Sequence, residues 1–449
     1  MNKSYRFIVI TMLVVSLATI TIVATVGTPF KSGSSVAQKA VTKQQITVAK
    51  PFPQHMSYTP GVIKPDYVSQ EQLDNDVRRI YDEWKERYLV QSEKDPNQYY
   101  VFYNREKTNE PINAVSCSEG HGYGMLATAL MGGYDDKAKV YFDGLYHFYK
   151  AHPGAGNPAL MGWQQIKTSS GDIRNTPPYD NEDGNFSATD GDMDIAYALM
   201  LADKQWGSGG EIDYMKEAKT LIYAIMKNDV NTDEWILKLG DWASNSDSDY
   251  GTGTRSSDFM LSHLKAFQVA TGDSNWGKIV DKTYAIINSL YSSQSATTGL
   301  LPDFSFKKGS EYIPSYPNYL EAPYDGDYYY NSCRVPWRVP IDYLLSGDTR
   351  ALKQISVLNQ WVQTSTGGNP GNINAGYKLD GSRIMEEEKG VMVFIAPFAV
   401  SAMVDSENQA WLNVLWDYMA SSPTDEGTYF DNSIRLLVMI TVSGNWWMP

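Results

Sequence analysis

The stretch Ala196–Met226, AYALMLADKQWGSGGEIDYMKEAKTLIYAIM, contains two different helical patterns joined by a glycine-rich turn. In Ile195–Ala202 nearly every position is apolar, which is typical of a helix that is buried on all sides. After the turn, apolar residues recur at spacings of three and four with Lys and Glu between them, as on a helix half exposed to water. The turn residues suit this join, because Gly stops the first helix and Asp213 can cap the second. The stretch therefore predicts a buried inner helix followed by an amphipathic outer helix.

The same join recurs along the chain. It is found again in Leu126–Tyr149, Leu261–Leu290, Pro340–Val362 and Phe398–Met419, while an amphipathic segment, Ser69–Leu89, opens the set and an apolar one, Ser433–Gly444, closes it. Six outer and six inner helices in alternation fit two concentric rings. The sequence therefore predicts an all-α fold, an (α/α)6 barrel over residues 66–449. A two-domain helical protein is the alternative, but no linker divides the chain after Pro65, which favours one domain.

The N-terminus has the pattern of an export segment, residues 1–37. Two basic residues precede an uncharged apolar run, Phe7–Val26, and Ser35–Ala37 fits a cleavage site. The run is long for a signal peptide, so an uncleaved membrane anchor is the alternative. Residues 38–65 are polar with scattered Pro and are predicted to form a linker. We therefore expect a secreted, extracellular protein with no membrane contact beyond this segment.

Charge and composition narrow the classes of partner. The 449 residues carry a formal net charge of −14, which argues against nucleic acid and anionic membranes. This charge permits a cationic substrate, or it simply reflects a soluble secreted surface. The 31 Tyr and 12 Trp suit sugar binding, although large helical cores also use them. No Cys/His spacing suggests zinc. Asn245–Gly253 has acids at alternate positions but lacks the glycine of a calcium loop at the right place, so no metal or cofactor is predicted.

Long insertions and polar clusters mark one end of the barrel. Insertions 151–188, 229–256, 293–332 and 365–389 all precede inner helices, so they should gather where those helices begin. Polar residues cluster at the same helix starts: Glu119, His121 and Tyr123; Asp190, Asp192 and Asp194; Arg255 and Asp258; Asn331, Arg334 and Arg338. Any one of these acids could be an ordinary N-cap, and the arginines could simply pair with them. Four such clusters at one end favour a site.

Acids and arginines beneath aromatic-rich loops favour polysaccharide hydrolysis. Cleavage of a glycosidic bond needs one carboxylic acid to protonate the leaving oxygen and a second carboxylate to activate water or attack carbon. Trp163 and Trp242 lie in the rim insertions and are candidates for sugar binding, with core positions as the alternative.

Three motifs identify a family. Ser187–Trp206 resembles the signature of the family 8 glycoside hydrolases, SEGHGYGM (Ser118–Met125) resembles their acid motif, and CRVPWR (Cys333–Arg338) resembles their arginine element. The resemblance covers Asn97 to Trp447 in the same order. It implies an (α/α)6 barrel and inverting endo-hydrolysis of β-1,4-linked glycans: cellulose, xylan, mixed-linkage glucan or chitosan.

The resemblance also implies roles for individual residues. Glu119 occupies the general-acid position, Asp190 the position that holds the sugar at the cleavage subsite, and Arg334 that of the arginine in the base region. Many members carry an aspartate base where this chain has Asn331, whose amide cannot accept a proton from water. In this respect the chain resembles a subgroup whose base is a glutamate from an inserted loop. The resemblance implies that the base of this chain is Glu321. The remaining predicted substrate contacts are Trp163, Trp242, Asp258, Tyr123, Asn331 and Arg334.

The expected substrate is chitosan. Chitosanases dominate the subgroup, and the net acidity and the rim acids Asp183, Asp258 and Asp325 also favour a cationic polymer. β-Glucanase side activity is part of this expectation, and a licheninase or endoglucanase of the same family is the alternative. A catalytically silent glycan-binding protein is the hypothesis from another class, for which the missing aspartate at Asn331 is the one argument. We expect a monomer whose partner is the polysaccharide.

The chain has two cysteines, and both should lie near this end of the barrel. Cys117 is two residues before Glu119, and Cys333 is two residues after Asn331. Two predictions stay open. Either the cysteines form a disulfide that ties the acid's helix to the base's loop, or they are buried free thiols acting as small hydrophobes.

Overall fold

The alternation of apolar and amphipathic segments becomes two rings of helices in the computed structural model, which describes residues 47–103, 114–178 and 183–449. The inner ring consists of α2 (Ser118–Leu130), α4 (Thr189–Trp206), α6 (Leu261–Thr271), α8 with α9 (Val335–Arg338, Pro340–Ser346), α11 with α12 (Met392–Ile395, Pro397–Ala402) and α14 (Tyr429–Val442). The outer ring consists of α1 (Gln70–Tyr88), α3 (Ala138–Ala151), α5 (Tyr214–Asn228), α7 (Asn275–Gln294), α10 (Leu352–Thr366) and α13 (Gln409–Ser421). Neighbouring inner helices are in contact around the ring, and α14 closes it against α2. The predicted (α/α)6 barrel is confirmed.

Two inner helices are each interrupted at a proline. Pro340 follows α8 and Pro397 follows α11, and each begins the second half of its helix. Proline has no backbone N–H to donate to the preceding turn, so the helical hydrogen bonding is broken there. Because α8 is the first half of the fourth inner helix, that helix begins at Val335, before Pro340, where the apolar segment of the sequence begins.

Short strands form the rim at the end of the barrel where the inner helices begin. They are β1 (Leu89–Gln91), β2 (Tyr99–Val101), β3 (Ala114–Cys117), β4 (Gln164–Lys167), β5 (Ile173–Asn175), β6 (Val230–Asn231), β7 (Ile236–Leu237), β8 (Thr254–Arg255), β9 (Phe304–Lys308) and β10 (Glu311–Pro314). Within the part of the chain that the structure describes, they form four antiparallel sheets, with orders β1-β2, β3-β4-β5, β6-β7 and β8-β9-β10. Strands of two to five residues are too short for an alternating pattern to reveal them in the sequence. Two of these strands, β3 and β8, end next to residues of the site.

The described part of the predicted linker packs against the opposite end of the barrel. Backbone amides of this segment donate hydrogen bonds to carbonyls at or just beyond the C-terminal ends of α4, α2, α14, α9 and α12; the donors are Ala49, Phe52, Met56, Thr59 and Ile63. These carbonyls have no partner inside their own helices, so the segment satisfies them. Residues 47–65 therefore form part of the barrel's base instead of a free linker. The predicted export segment lies outside the described residues, within which no helix is long and apolar enough to cross a bilayer.

Candidate active site

Close packing of α2 and α4 brings the first two acids together. Glu119 and Asp190 are each the second residue of their helix. A Cβ atom on Gly122 would lie 2.7 Å from Cβ of Asp194, and one on Gly191 would collide with Ser118. Only glycine fits at these two positions, so the helix starts approach closely enough for both acids to reach one arginine.

That arginine is Arg334, which lies in the 3-10 turn Ser332–Arg334 before α8 and is 3% exposed. Its Nη1 contacts Oε2 of Glu119 and lies 3.0 Å from Oδ2 of Asp190. Its Nη2 donates to Oδ1 of Asn331 at 2.8 Å. A buried cation is tolerable only when it is paired in this way, so Arg334 and the two acids stabilise one another in the interior.

Glu119 has the environment of a carboxyl group that keeps its proton. Only 17% of its side chain is exposed. Burial raises its pKa above the ordinary value, the charge of Asp190 raises it further, and Arg334 opposes both. The hydroxyl of Tyr429, the first residue of α14, donates to Oε1 and also lowers this pKa. The net effect is a raised pKa, as a general acid requires.

The loop between β10 and the 3-10 turn delivers Glu321 to the same place. Its Oε1 lies 2.5 Å from Nη2 of Arg255, and its Oε2 accepts from Nδ2 of Asn331 at 2.8 Å. Arg255 also faces Asp190, with 4.0 Å between Nη1 and Oδ1. Glu321 is 44% exposed, whereas Arg255 is buried. We call these residues the acid–arginine network: Glu119, Asp190, Arg255, Glu321, Asn331 and Arg334.

Asn331 occupies the centre of the network. Its amide oxygen accepts from Arg334, and its amide nitrogen donates to Glu321 and, at 3.3 Å, to Asp303. The amide is therefore fixed in one orientation between the acid side and the loop side. Asp303 in turn accepts the backbone amides of Tyr329, Asn331 and Ser332, so this buried carboxylate fixes the turn.

Two further predicted site residues adjoin this network. Tyr123 is buried, with its hydroxyl 3.3 Å from Nη1 of Arg334. Asp258 is fully buried, and its carboxylate accepts from the hydroxyl of Ser257 at 2.9 Å. Burial, together with the charge of Asp190, raises the pKa of Asp258 to about 7.

The two tryptophans lie on rim loops and are half-buried. Trp163 adjoins the acid's helix, since its carbonyl accepts from the amide of Ser118, and its indole donates to the carbonyl of Asp183 at 3.1 Å. Trp242 packs against Tyr250 with 5.2 Å between the ring centroids. Among the described residues, the hydrogen bonds that join the acid–arginine network include neither indole. The two indoles therefore flank the network without belonging to it.

Two of the three acids that open α4 are structural. Asp194 is fully buried and pairs with both Arg338 and His263; burial alone would raise its pKa, but these partners hold it below the ordinary value. Asp192, also fully buried, accepts the amide of Met161 at 2.9 Å. Burial and the nearby Asp229 raise the pKa of Asp192 well above the ordinary value. Only Asp190 faces the site.

The cysteines do not pair. Both are buried free thiols, so the disulfide prediction is wrong and the alternative holds. The thiol of Cys333 donates to the carbonyl of Tyr330 at 3.1 Å, and Sγ of Cys117 lies 3.4 Å from the hydroxyl of Tyr429. Each sulfur is thus engaged within its own part of the rim. Burial raises the pKa of both thiols, which keeps them protonated.

Sequence reasoning gave no site role to three residues that hold the network. Arg255 was recognised only as a rim residue, whereas Tyr429 and Asp303 were not singled out. Tyr429 could have been found by inspecting every inner-helix start, because a capping box formed by Thr428 and Asp431 precedes the apolar run of α14. Asp303 holds the turn by accepting backbone amides, and no pattern of side chains in the sequence marks such a contact.

Comparisons with known proteins show the family. The sequence profile of glycosyl hydrolases family 8 matches residues 60–444. A β-glucanase from Niallia circulans is 51% identical over 398 residues, which are 89% of this chain and 91% of that protein. An endoglucanase from Bacillus sp. strain KSM-330 is 40% identical over 404 residues, 89% of this chain and 82% of that protein.

A solved structure is also similar. The apo structure of a β-1,3-1,4-glucanase from Paenibacillus sp. X4 superposes with a TM-score of 0.82 at 51% identity, covering 89% of this chain and 100% of that one. The fold, the motifs and these matches lead to one conclusion. This chain belongs to family 8 of the glycosyl hydrolases, whose mechanism inverts the anomeric carbon.

Proposed function

We propose that this enzyme is an endo-β-1,3-1,4-glucanase, a hydrolase of mixed-linkage β-glucan. The observation that carries the substrate is 51% identity, over almost the whole catalytic domain, to a β-glucanase and to a β-1,3-1,4-glucanase of solved structure. Hydrolysis of cellulosic β-1,4-glucan is the second candidate, since the relative from Bacillus sp. is an endoglucanase.

The acids that favoured chitosan in the sequence are engaged elsewhere. Asp258 and Asp325 are fully buried, and Asp325 accepts three backbone amides. Asp183 accepts the backbone and side-chain amides of Asn185. An ammonium group on a substrate would have to enter the interior to reach Asp258 or Asp325. Two of the three acids therefore offer a cationic substrate no accessible partner.

In the proposed reaction, Glu119 is the general acid. It gives its proton to the glycosidic oxygen as the bond from that oxygen to the anomeric carbon breaks. Burial raises the pKa of this carboxyl, which favours its protonated form, while Asp190, paired with Arg334, is placed to hold the sugar at the cleavage point. For transfer to occur, Oε2 of Glu119 must leave Arg334, because that contact occupies the oxygen.

Glu321 is the proposed general base, which places this chain in the subgroup with a base donated by a loop. Its carboxylate removes a proton from water, and the water oxygen bonds to the anomeric carbon on the face opposite the leaving group. Asn331 donates to Glu321 and accepts from Arg334, so it orients the base without taking a proton. Arg255 supplies the second contact that directs Glu321 into the site.

Initial rates on lichenan, carboxymethylcellulose, xylan and soluble chitosan test the substrate. We expect the highest kcat/KM on lichenan, a lower value on carboxymethylcellulose and the lowest on chitosan. A Glu119→Gln preparation purified in the same way controls for contaminating hydrolases. A highest value on chitosan would overturn the proposed substrate. Measurable binding without hydrolysis of any of the four would favour a silent glycan-binding protein.

We also propose that residues 1–37 export the enzyme, because a basic start, an apolar run and a small-residue site follow one another there. Mass spectrometry of the N-terminus of protein recovered from the medium tests this proposal. A start near residue 38 indicates cleavage, whereas protein found only in the membrane fraction with its N-terminus intact indicates an anchor.

A further inference from the structure

The loop that carries Glu321 is largely exposed near its tip, and Tyr319 anchors it in a cluster of aromatic side chains. Pro317, Asn318, Glu321 and Pro323 are all exposed. Tyr319 is the buried contact of the tip, with its hydroxyl donating to the carbonyl of Asp249 at 2.7 Å. Loops of this kind usually sample several conformations. A base for hydrolysis, however, has to stay at one place relative to the anomeric carbon.

One buried carboxylate fixes the backbone at this point. Oδ2 of Asp325 accepts the amides of Leu320 at 2.7 Å and Glu321 at 2.9 Å, and Oδ1 accepts the amide of Ala322 at 2.8 Å. Asp325 is 0% exposed. Three N–H groups thus share the two oxygens of one side chain, and burial limits competition from water.

Asp325 is itself anchored to the sheet that ends at Arg255. Its carbonyl accepts the amide of Phe304 at 2.9 Å, and Phe304 pairs with Arg255 between β9 and β8. The backbone of Glu321 and the guanidinium that it contacts are therefore built on the same three-stranded sheet. A change at Asp325 would move Glu321 relative to Arg255 and Asn331 without touching either partner.

We propose that Asp325 is a positioning residue for hydrolysis, holding three consecutive amides so that the carboxylate of Glu321 stays directed at Asn331 and Arg255. This proposal rests on the proposed role of Glu321 as general base. Asp325 acts through the loop backbone and has no contact of its own with the reacting atoms.

The test is Asp325→Asn, which keeps the size of the side chain. Its NH2 group cannot accept, so at least one of the three amides loses its acceptor and faces a donor. A displacement of about 1 Å at a catalytic group costs about 10²-fold in rate, so we expect kcat on lichenan to fall about 10- to 100-fold, with KM changed less than about 3-fold. Amides 320–322 should also exchange hydrogen faster than those of β9. Asp405→Asn is the matched control, because Asp405 accepts the amide of Glu407 in a turn between α12 and α13.

A double-mutant cycle separates positioning from general stability. In the Glu321→Gln background, Asp325→Asn should cause almost no further loss of kcat, because the group that it positions no longer works. An equal further loss in that background, or a single-variant kcat within 2-fold of the parent, would overturn the proposal. Near-normal activity of Glu321→Gln by itself would instead overturn the assignment of the base.

If Asp325→Asn is not recovered folded, Asp325→Ser replaces it in the same cycle, since the smaller hydroxyl can still accept one amide. The same outcomes apply. Non-additivity with Glu321→Gln supports positioning, and additivity contradicts it.

Discussion

The proposed general acid and the proposed general base are held in different ways. Glu119 lies at the start of an inner helix, 17% exposed, among residues from α4, α14 and the 3-10 turn before α8. Glu321 lies on a loop, 44% exposed, and is directed by Asn331 and Arg255. The acid is held by packed helices and the base by hydrogen bonds to a loop.

This difference matches the two chemical tasks. A general acid must keep a proton near neutral pH, which burial achieves by disfavouring the charged form. A base that activates water must remain accessible to water, which an exposed carboxylate achieves. Near the base, the buried carboxylates of Asp325 and Asp303 fix the loop backbone by accepting its amides. Near the acid, the helices themselves fix the backbone. The predictions below probe the helix side, and the last measurement probes the loop side.

The largest effect on the helix side is expected for Glu119→Gln. The amide cannot donate the acid's proton, so turnover of lichenan should fall by about 10²–10⁴-fold. An aryl glycoside with a good leaving group needs little protonation and should lose far less rate. Glu86→Gln on the exposed face of α1 is the control. An equal loss on both substrates would contradict the role as general acid.

The neighbours of Glu119 should move the alkaline limb of the pH–rate profile in opposite directions. The charge of Asp190 raises the pKa of Glu119, so Asp190→Asn should shift the limb to lower pH, with kcat down by about 10²-fold from lost positioning. Tyr429 lowers the same pKa, so Tyr429→Phe should shift the limb to higher pH. The loss of one hydrogen bond predicts a decrease in kcat of only about 3- to 10-fold. Shifts in the same direction in kcat/KM profiles would show that another group titrates.

The smallest effect on activity is expected for Asp192→Asn, two residues after Asp190 but outside the site. Because the pKa of Asp192 is raised, the folded state binds its proton more tightly than the unfolded state does. This tighter binding stabilises the fold fully below the unfolded-state pKa of about 3.9, and the stabilisation is lost as the pH rises. An amide keeps the acceptor for Met161 and has no charge to bury. The stability of the variant relative to the parent should therefore be greater at pH 8 than at pH 5, with activity within about 2-fold of the parent. Thermal melts at both pH values measure this, and a larger destabilisation at pH 8 would contradict it.

Much of the fold could be predicted from the sequence because each ring has its own periodicity. The stretch around Ile195–Ala202 is apolar on all sides, and Tyr214–Asn228 has a single apolar face, so their order alone reveals two rings. The proline breaks and the strands of the rim were not predictable, since they depend on single residues and on pairing between distant segments. The contacts of segment 47–65 are not predictable from the sequence either. Its partners are backbone carbonyls at helix ends, and no side-chain pattern marks them.

The site was predictable where it lies on helices and less so where it lies on loops. Glu119 and Asp190 follow from the rule that insertions gather at inner-helix starts. Glu321 followed only from family resemblance, because nothing in its local pattern distinguishes it from other loop acids. The expectation of chitosan rested on acids of the same kind. Counting Asp258 and Asp325 as rim charges overlooked that both are buried and hydrogen-bonded.

The assignment of Glu321 as general base is tested most directly by comparing Glu321→Gln with Asn331→Ala on lichenan. We predict that Glu321→Gln lowers kcat by about 10²–10⁴-fold with substrate binding nearly intact, that Asn331→Ala lowers it less, and that azide partly restores turnover to Glu321→Ala. If Glu321→Gln keeps near-normal kcat while Asp258→Asn abolishes it, the base is a buried rim acid and the loop-held assignment is wrong.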